Sequence, residues 1–249
     1  MKARDEEPLF GRRPVLELLR AASRRIDEVA IVAHGRGPAL QDVLTLARSR
    51  GVKVSFRTRD QLTAMAGTPY HQGVVARVAA AAYADLGSLL AAGAQRAEPA
   101  FLLALDRVQD PRNLGAVLRS AEATGAHGVI LPKHESVGLT PGAAKSATGA
   151  QEWLGVARVA NLVQALEALK KEGIWIIGTT PRGGASPWAA DLRLPVCLVL
   201  GGEEGGLRSL VARTCDLLLT LPMKGKLDSL NVAAVAAVLC YEVVRQRGA

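Results

Sequence analysis

The chain has 249 residues, 49 % of them hydrophobic and 22 % charged, and a formal net charge of +8; that length accommodates one large or two modest domains with their own cores. The apolar run VAAVAAVLCY at 232–241 is too short to span a bilayer, and MKARDEEPLFGRR lacks an apolar signal core, which predicts a cytoplasmic protein without membrane partners. Cys197, Cys215 and Cys240 lie far apart without a C-x-x-C, and His34, His71, His127 and His134 show no ligand spacing with Cys or carboxylates, so reduced thiols and no metal are expected.

Taken in chain order, PVLELLRAAS (14–23) is helical, DEVAIVA (27–33) reads as a strand, and PALQDVLTLARSRG (38–51) reads as an amphipathic helix with Pro early and Gly past its end. VKVSFR (52–57) and GVVARV (73–78) are further strands, which predicts a small α/β domain over 1–78. The Ala/Gly-rich stretch that follows predicts a partly helical linker over 79–98. Residues 1–60 carry thirteen Lys/Arg against eight Asp/Glu, and residues 99–249 sixteen against thirteen. The denser basic excess at the N-terminal end suits a polyanion by counterion release, and equally a solvated basic surface.

From residue 99 onward, strands at 101–106, 128–132, 174–178, 196–200 and 217–221 alternate with helices at 114–124, about 141–150, 161–171, 207–214 and 230–246. Near-continuous apolar strands between helices predict a parallel sheet covered on both faces, with ligands at the strands' C-terminal ends.

Three strand-to-helix loops carry chemistry. In VCLVLGGEEGGL (196–207), Gly201 and Gly206 fit the ends of a dinucleotide fingerprint but Glu203 occupies its middle; the G-K pair at Gly225–Lys226 is followed by Leu227, so no phosphate loop is present. A fixed carboxylate repels phosphates and attracts a cation. Glu204, its neighbour, is expected to face solvent. In LDRVQDPRNLGAVLRSAEATGAHGVIL (105–131), Asn113 reads as a helix cap, and Arg119 and Glu122 fall off the apolar stripe, either as a functional pair of positions or as an exposed ion pair. In LTLPMKGKLDSLNVAAVAAVLCYEVV (219–244), Ser229 and Asn231 stand at the entrance of a helix apolar almost all round.

Together these pieces, N-x-G-x-x-x-R-x-A-x-x-x-G at Asn113–Gly125, G-x-E-x-x-G at Gly201–Gly206 and S-L-N at Ser229–Asn231, resemble the three signature motifs of the SpoU (TrmH) family in the SPOUT superfamily of RNA methyltransferases. FGRRPVLELLR (10–20), HQGVVARV (71–78) and GLTPGAAKSATGAQE (138–152) are similar to the branch that methylates a guanosine 2′-hydroxyl in 23S rRNA. The resemblance implies a catalytic domain over 99–249 whose parallel sheet carries a deep trefoil knot, an exception to the rule of unknotted chains. It further implies a homodimer through that domain, and an RNA-binding α/β domain at the N-terminus.

The cofactor so implied is S-adenosylmethionine, held among Thr179, Leu200, Gly201, Leu221, Met223 and Leu230. Asn113, Arg119, Glu203, Ser229 and Asn231 are the implied catalytic set, with Arg119 contacting the target phosphate and helping to activate the hydroxyl. A guanidinium, with a pKa above about 12, is a poor base; positioning and stabilisation of the developing oxyanion suit it better. Whether Glu203 meets the sulfonium or only orders its loop stays open at this level. So do two other readings: methylation of tRNA or another rRNA site, and a non-catalytic RNA-binding protein. Lys224, Lys226 and Asp228, and Arg12–Arg13, depart from the branch's usual pattern.

Overall fold

A computed structural model describes residues 6–248 apart from 36, 204 and 228; Glu204 and Asp228 thus lie outside the described residues. The chain forms two compact units, one of Met1–Ala82 with Leu139–Trp153, the other of Tyr83–Gly138 with Leu154–Ala249.

The first unit is a four-stranded mixed sheet. Its elements are β1 (Glu6–Phe10), α1 (Arg12–Ala21), β2 (Ile26–Val32), α2 (Pro38–Ser49), β3 (Val54–Arg57), α3 (Arg59–Ala66) and β4 (Val74–Ala79). The strand order is β1-β4-β2-β3, with β2 and β3 parallel and the other pairs antiparallel. Alternation fills both faces. Val29 and Ile31 of β2 and Val74, Ala76 and Val78 of β4 pack with Val15, Leu18, Leu19 and Val43 of α1 and α2. The intervening Ala30 and Val75 pack with Leu62 and Ala66 of α3.

Sequence periodicity does not predict β1 or α3. β1 is a five-residue edge strand with two glutamates, and its edge position suits Pro8, which has no N–H to donate. α3 does carry a signal, a reciprocal capping box in which Gln61 N donates to Thr58 Oγ1 and Thr58 N donates to Gln61 Oε1.

The stretch 139–153 joins this unit through α6 (Pro141–Ala147) and a 3₁₀ turn at Ala150–Glu152. Ala144 enters the core. The buried Arg24 guanidinium donates to Glu152 at 2.8 Å, to Glu7 and to the Ala79 carbonyl at 3.0 Å. Its charge is thereby matched on two sides.

The second unit holds a six-stranded, all-parallel sheet of order β10-β8-β9-β5-β6-β7. The strands are β5 (Phe101–Asp106), β6 (Gly128–Pro132), β7 (Val156–Val159), β8 (Trp175–Thr179), β9 (Val196–Gly201) and β10 (Leu217–Leu219). The helices are α4 (Leu86–Gln95), α5 (Pro111–Ala123), α7 (Leu162–Lys171), α8 (Ser209–Thr214) and α9 (Val232–Arg247). β5 is buried at every position, as a central parallel strand requires. β7, a four-residue edge strand, is too short for the sequence pattern to separate it from a loop.

The cap of α5 differs from expectation and that of α9 does not. α5 begins at Pro111 and is capped by Asp110, whose carboxylate accepts from Arg112 N at 2.8 Å, so Asn113 is not the cap. Proline fits the first helical position, and the shift frees the Asn113 side chain for another partner. α9 is capped as expected by Asn231, whose Oδ1 accepts from Ala233 N at 2.9 Å. Its far end is fixed by Arg247, which donates to the carbonyls of Pro99, Ala100, Leu192 and Leu194. Among the described residues no helix is long and apolar enough to cross a membrane.

Candidate active site

A cavity of about 560 Å³ opens where β8, β9 and β10 end, the place at which open parallel sheets bind ligands. Thr179 and Thr180 line it from the end of β8, the glycine loop from β9, Leu219 from the end of β10, Leu221 and Met223 from the chain after it, and Ser229, Leu230 and Asn231 from the approach to α9. Val232, Val235 and Leu239 form an apolar wall.

The glycine loop is folded too tightly for side chains. A Cβ on Gly201 would collide with the backbone of Gly206 and Leu207, and one on Gly202 would collide with the Arg107 carbonyl. Gly206 adopts φ +66°, the left-handed region.

Asp106 clamps the loop at both ends. Its carbonyl accepts from Gly202 N at 2.7 Å, and its fully buried carboxylate accepts from Arg208 N and Arg208 Nε, each at 2.8 Å.

At the mouth, three side chains from the three motif loops form a relay. Asn231 Nδ2 donates to Asn113 Oδ1 at 3.0 Å, and Asn113 Nδ2 donates to Glu203 Oε1. Glu203 is the only charged side chain among the described lining residues. Apolar walls, backbone exposed by glycines and one carboxylate suit a bulky cation with polar edges, and disfavour a polyphosphate. Among the described residues no group of His, Cys, Asp and Glu is arranged to hold a metal ion.

Of the residues singled out from sequence, Glu203, Ser229, Asn231, Thr179, Gly201, Leu221, Met223 and Leu230 line this cavity, and Asn113 joins it through its two hydrogen bonds. Leu200 is buried within β9 and is not among the lining residues. Arg119 is exposed on α5, six residues after Asn113, and also lies outside the lining; no ion pair joins it to Glu122. Asp106 and Arg208 escaped the sequence reading. The available signal was a carboxylate ending the fully apolar strand FLLALD, since a buried Asp demands a partner.

Comparison with known proteins identifies the family. The family profile for the SpoU rRNA Methylase family matches residues 100–241, and that for RNA 2′-O ribose methyltransferase substrate binding matches residues 8–84. The 23S rRNA (guanosine-2′-O-)-methyltransferase RlmB of Ralstonia nicotianae is 42 % identical over 240 residues, covering 96 % of this chain and 95 % of that protein. The RlmB of Xylella fastidiosa is 42 % identical over 243 residues, covering 96 % of each. Among solved structures, the SpoU methyltransferase AviRb from Streptomyces viridochromogenes, in complex with the cofactor AdoMet, superposes with a TM-score of 0.82 at 26 % identity, covering 98 % of this chain and 91 % of that one. With a profile matching more than half of its residues and relatives of this identity along almost its whole length, the chain belongs to the SpoU rRNA methylase family, whose members are RNA 2′-O-methyltransferases.

Proposed function

We infer that this chain binds S-adenosylmethionine in the cavity and methylates a ribose 2′-hydroxyl of RNA, a guanosine of 23S rRNA. The observation that carries the reading is the Asn231–Asn113–Glu203 relay at the mouth of a glycine-lined cavity whose described lining residues include one carboxylate. The RlmB relatives, similar along both units, supply the substrate.

When bound, S-adenosylmethionine supplies an electrophilic methyl group on a cationic sulfur. The chain's own residues do the rest. The glycine loop lets main-chain groups approach the ligand, and Glu203 biases the cavity toward positive charge. The relay fixes Asn113 and Asn231 relative to that carboxylate, so an incoming ribose meets preset polar groups; alignment of this kind lowers a barrier by several kcal/mol. Arg119, exposed on α5, grips the target phosphate and stabilises charge developing on the 2′-oxygen. Thr179, Gly201, Leu221, Met223 and Leu230 hold the adenosine end, with Leu200 contributing through β9.

The same reading assigns substrate binding to 1–78, with 139–153 packed into the same unit, and catalysis to the rest of 99–249, joined by 79–98, in a cytoplasmic homodimer. Val238 and Tyr241 on α9 and Leu210 on α8 are exposed apolar side chains that support pairing through the catalytic domain. Fixation of both α9 ends, at Asn231 and Arg247, is compatible with the threaded C-terminal segment of a trefoil knot.

The test is methyl transfer from labelled S-adenosylmethionine to rRNA of a strain lacking the gene, followed by mapping of 2′-O-methyl positions. One labelled 23S guanosine is expected. Label in tRNA would replace the substrate, and absence of both label and calorimetric cofactor binding would leave an RNA-binding protein without catalysis.

A further inference from the structure

The first unit carries an aromatic side chain in an unusual setting. Tyr70 is 71 % exposed, yet the turn that presents it is immobilised on both sides. The following residue, His71, is fully buried; its Nδ1 accepts from Gly73 N at 3.0 Å, and its Nε2 lies 3.3 Å from Thr63 Oγ1. Gln72, at φ +55°, is clasped by Arg12: Arg12 N donates to Gln72 Oε1 at 3.1 Å and Arg12 Nε donates to the Gln72 carbonyl at 3.0 Å. From α6, the Lys145 ammonium lies 5.1 Å from the centre of the Tyr70 ring and 5.4 Å from that of Phe10. Tyr70 is therefore a water-exposed ring on an ordered turn, with the Lys145 ammonium beside it and Arg12 bound to the same turn at Gln72.

Intramolecular packing explains Phe10, which is buried, but not Tyr70. A cation–π contact with Lys145 needs one ring face and leaves most of the ring in water. An exposed aromatic on an ordered turn, with a Lys beside the ring and an Arg bound to the same turn, is a combination suited to unpaired nucleotides: the ring stacks a base and the cations take adjoining phosphates. Because the turn is ordered by His71 and Arg12 before any ligand arrives, little conformational entropy remains to be lost on stacking. Double-stranded RNA hides its base faces and offers this ring nothing.

We propose that Tyr70, with Lys145 and Arg12, forms a stacking site for an unpaired base of the RNA substrate, so that this unit selects single-stranded or looped RNA. The proposal rests on the reading of the chain as an RNA methyltransferase and adds the face and the chemistry by which the first unit holds RNA.

The experiment measures binding of the full-length protein to a fluorescent single-stranded RNA oligonucleotide and to its duplex by anisotropy, alongside calorimetry with S-adenosylmethionine. Tyr70→Ala is expected to weaken single-strand binding about 5- to 150-fold, with the melting temperature and cofactor affinity unchanged. Tyr70→Phe, which keeps the ring, is expected to restore binding, and Lys145→Ala to flatten its salt dependence. Wild-type binding that Tyr70→Ala leaves intact, or equal affinity for the duplex, would overturn the stacking site while sparing the enzyme reading. Absence of binding to either RNA by the wild type would remove both.

Discussion

The glycine loop after β9 and the 68–73 turn before β4 are both short connections held rigid by a buried side chain that accepts from backbone N–H. That side chain is Asp106 in the first and His71 in the second. They put this rigidity to different use. The loop strips away side chains so that a ligand meets backbone, and its chemistry is concentrated in one carboxylate, Glu203. The turn instead projects a large side chain into water beside Lys145, with Arg12 bound to the turn's backbone. At Gly201 and Gly202 the site tolerates no side chain, because an added Cβ meets peptide groups that cannot move. A site built from an exposed ring tolerates anything that keeps the ring.

The sharpest way to break the comparison is Gly202→Ala. The new Cβ would collide with the Arg107 carbonyl and lie 3.3 Å from the Asp106 carbonyl, so the loop must shift bodily. Displacement of a binding element by about 1 Å costs on the order of 100-fold, and a loss of at least that size in calorimetric cofactor affinity is expected. Retained affinity would mean the loop does not contact the ligand. Next in size is Arg119→Lys, which keeps the charge and removes the planar fork. Turnover on RNA should fall roughly 10- to 100-fold with cofactor affinity unchanged, less than the roughly 100- to 1,000-fold cost of a donor lost outright because the positive charge is kept; near-wild-type turnover would show that the fork is not used.

The motif residues were legible in the sequence because glycines and amides at strand ends have few structural reasons to recur together. Their geometry was only half legible. Asn113 reads as a cap until Asp110–Pro111 is seen to take that position, and only then is its amide free to join Glu203 and Asn231. The parallel sheet followed from five apolar strands, whereas β1 and β7 were missed as short edge strands that bury few side chains. The passage of 139–153 into the first unit was not readable at all. It depends on Arg24 meeting Glu152 across 128 residues of sequence, and local periodicity carries nothing about such a pair.

A smaller effect is expected from Asp106→Asn, which separates the clamp's shape from its charge. The backbone half of the clamp survives, since Gly202 N donates to the Asp106 carbonyl. The buried carboxylate loses its charge opposite Arg208. A hydrogen bond to a charged group contributes about 1.5–3 kcal/mol, and part of that is recovered because the Arg208 side chain is 40 % exposed and rehydrates. The KM for S-adenosylmethionine should rise several-fold with kcat little changed. An equal fall in kcat at constant KM would place Asp106 in the methyl-transfer step instead of in the loop.

The smallest expected effect compares the two units by pH. His71 in the first and His127 in the second are both buried and both accept a backbone N–H at Nδ1, from Gly73 and Phe101 respectively. Burial is the largest cause holding each imidazole's pKa below its ordinary value; Arg59 reinforces it at His71, whereas Glu98 opposes it at His127. The folded state therefore binds fewer protons than the unfolded chain, so this contribution is fully present above the unfolded histidine pKa, about 6.5, and is lost as pH falls toward the depressed folded values. Asp191, beside Arg193, is held at about 2 and stays ionised throughout that window. Tm should drop by about 2–8 °C between pH 7.5 and 5.5. His71→Asn should remove more of that slope than His127→Asn, because Asn keeps an acceptor near the Nδ1 position without a titrating group. An unchanged slope in the double variant would assign the pH dependence to groups other than these two histidines, and would leave the 68–73 turn without its neutral anchor.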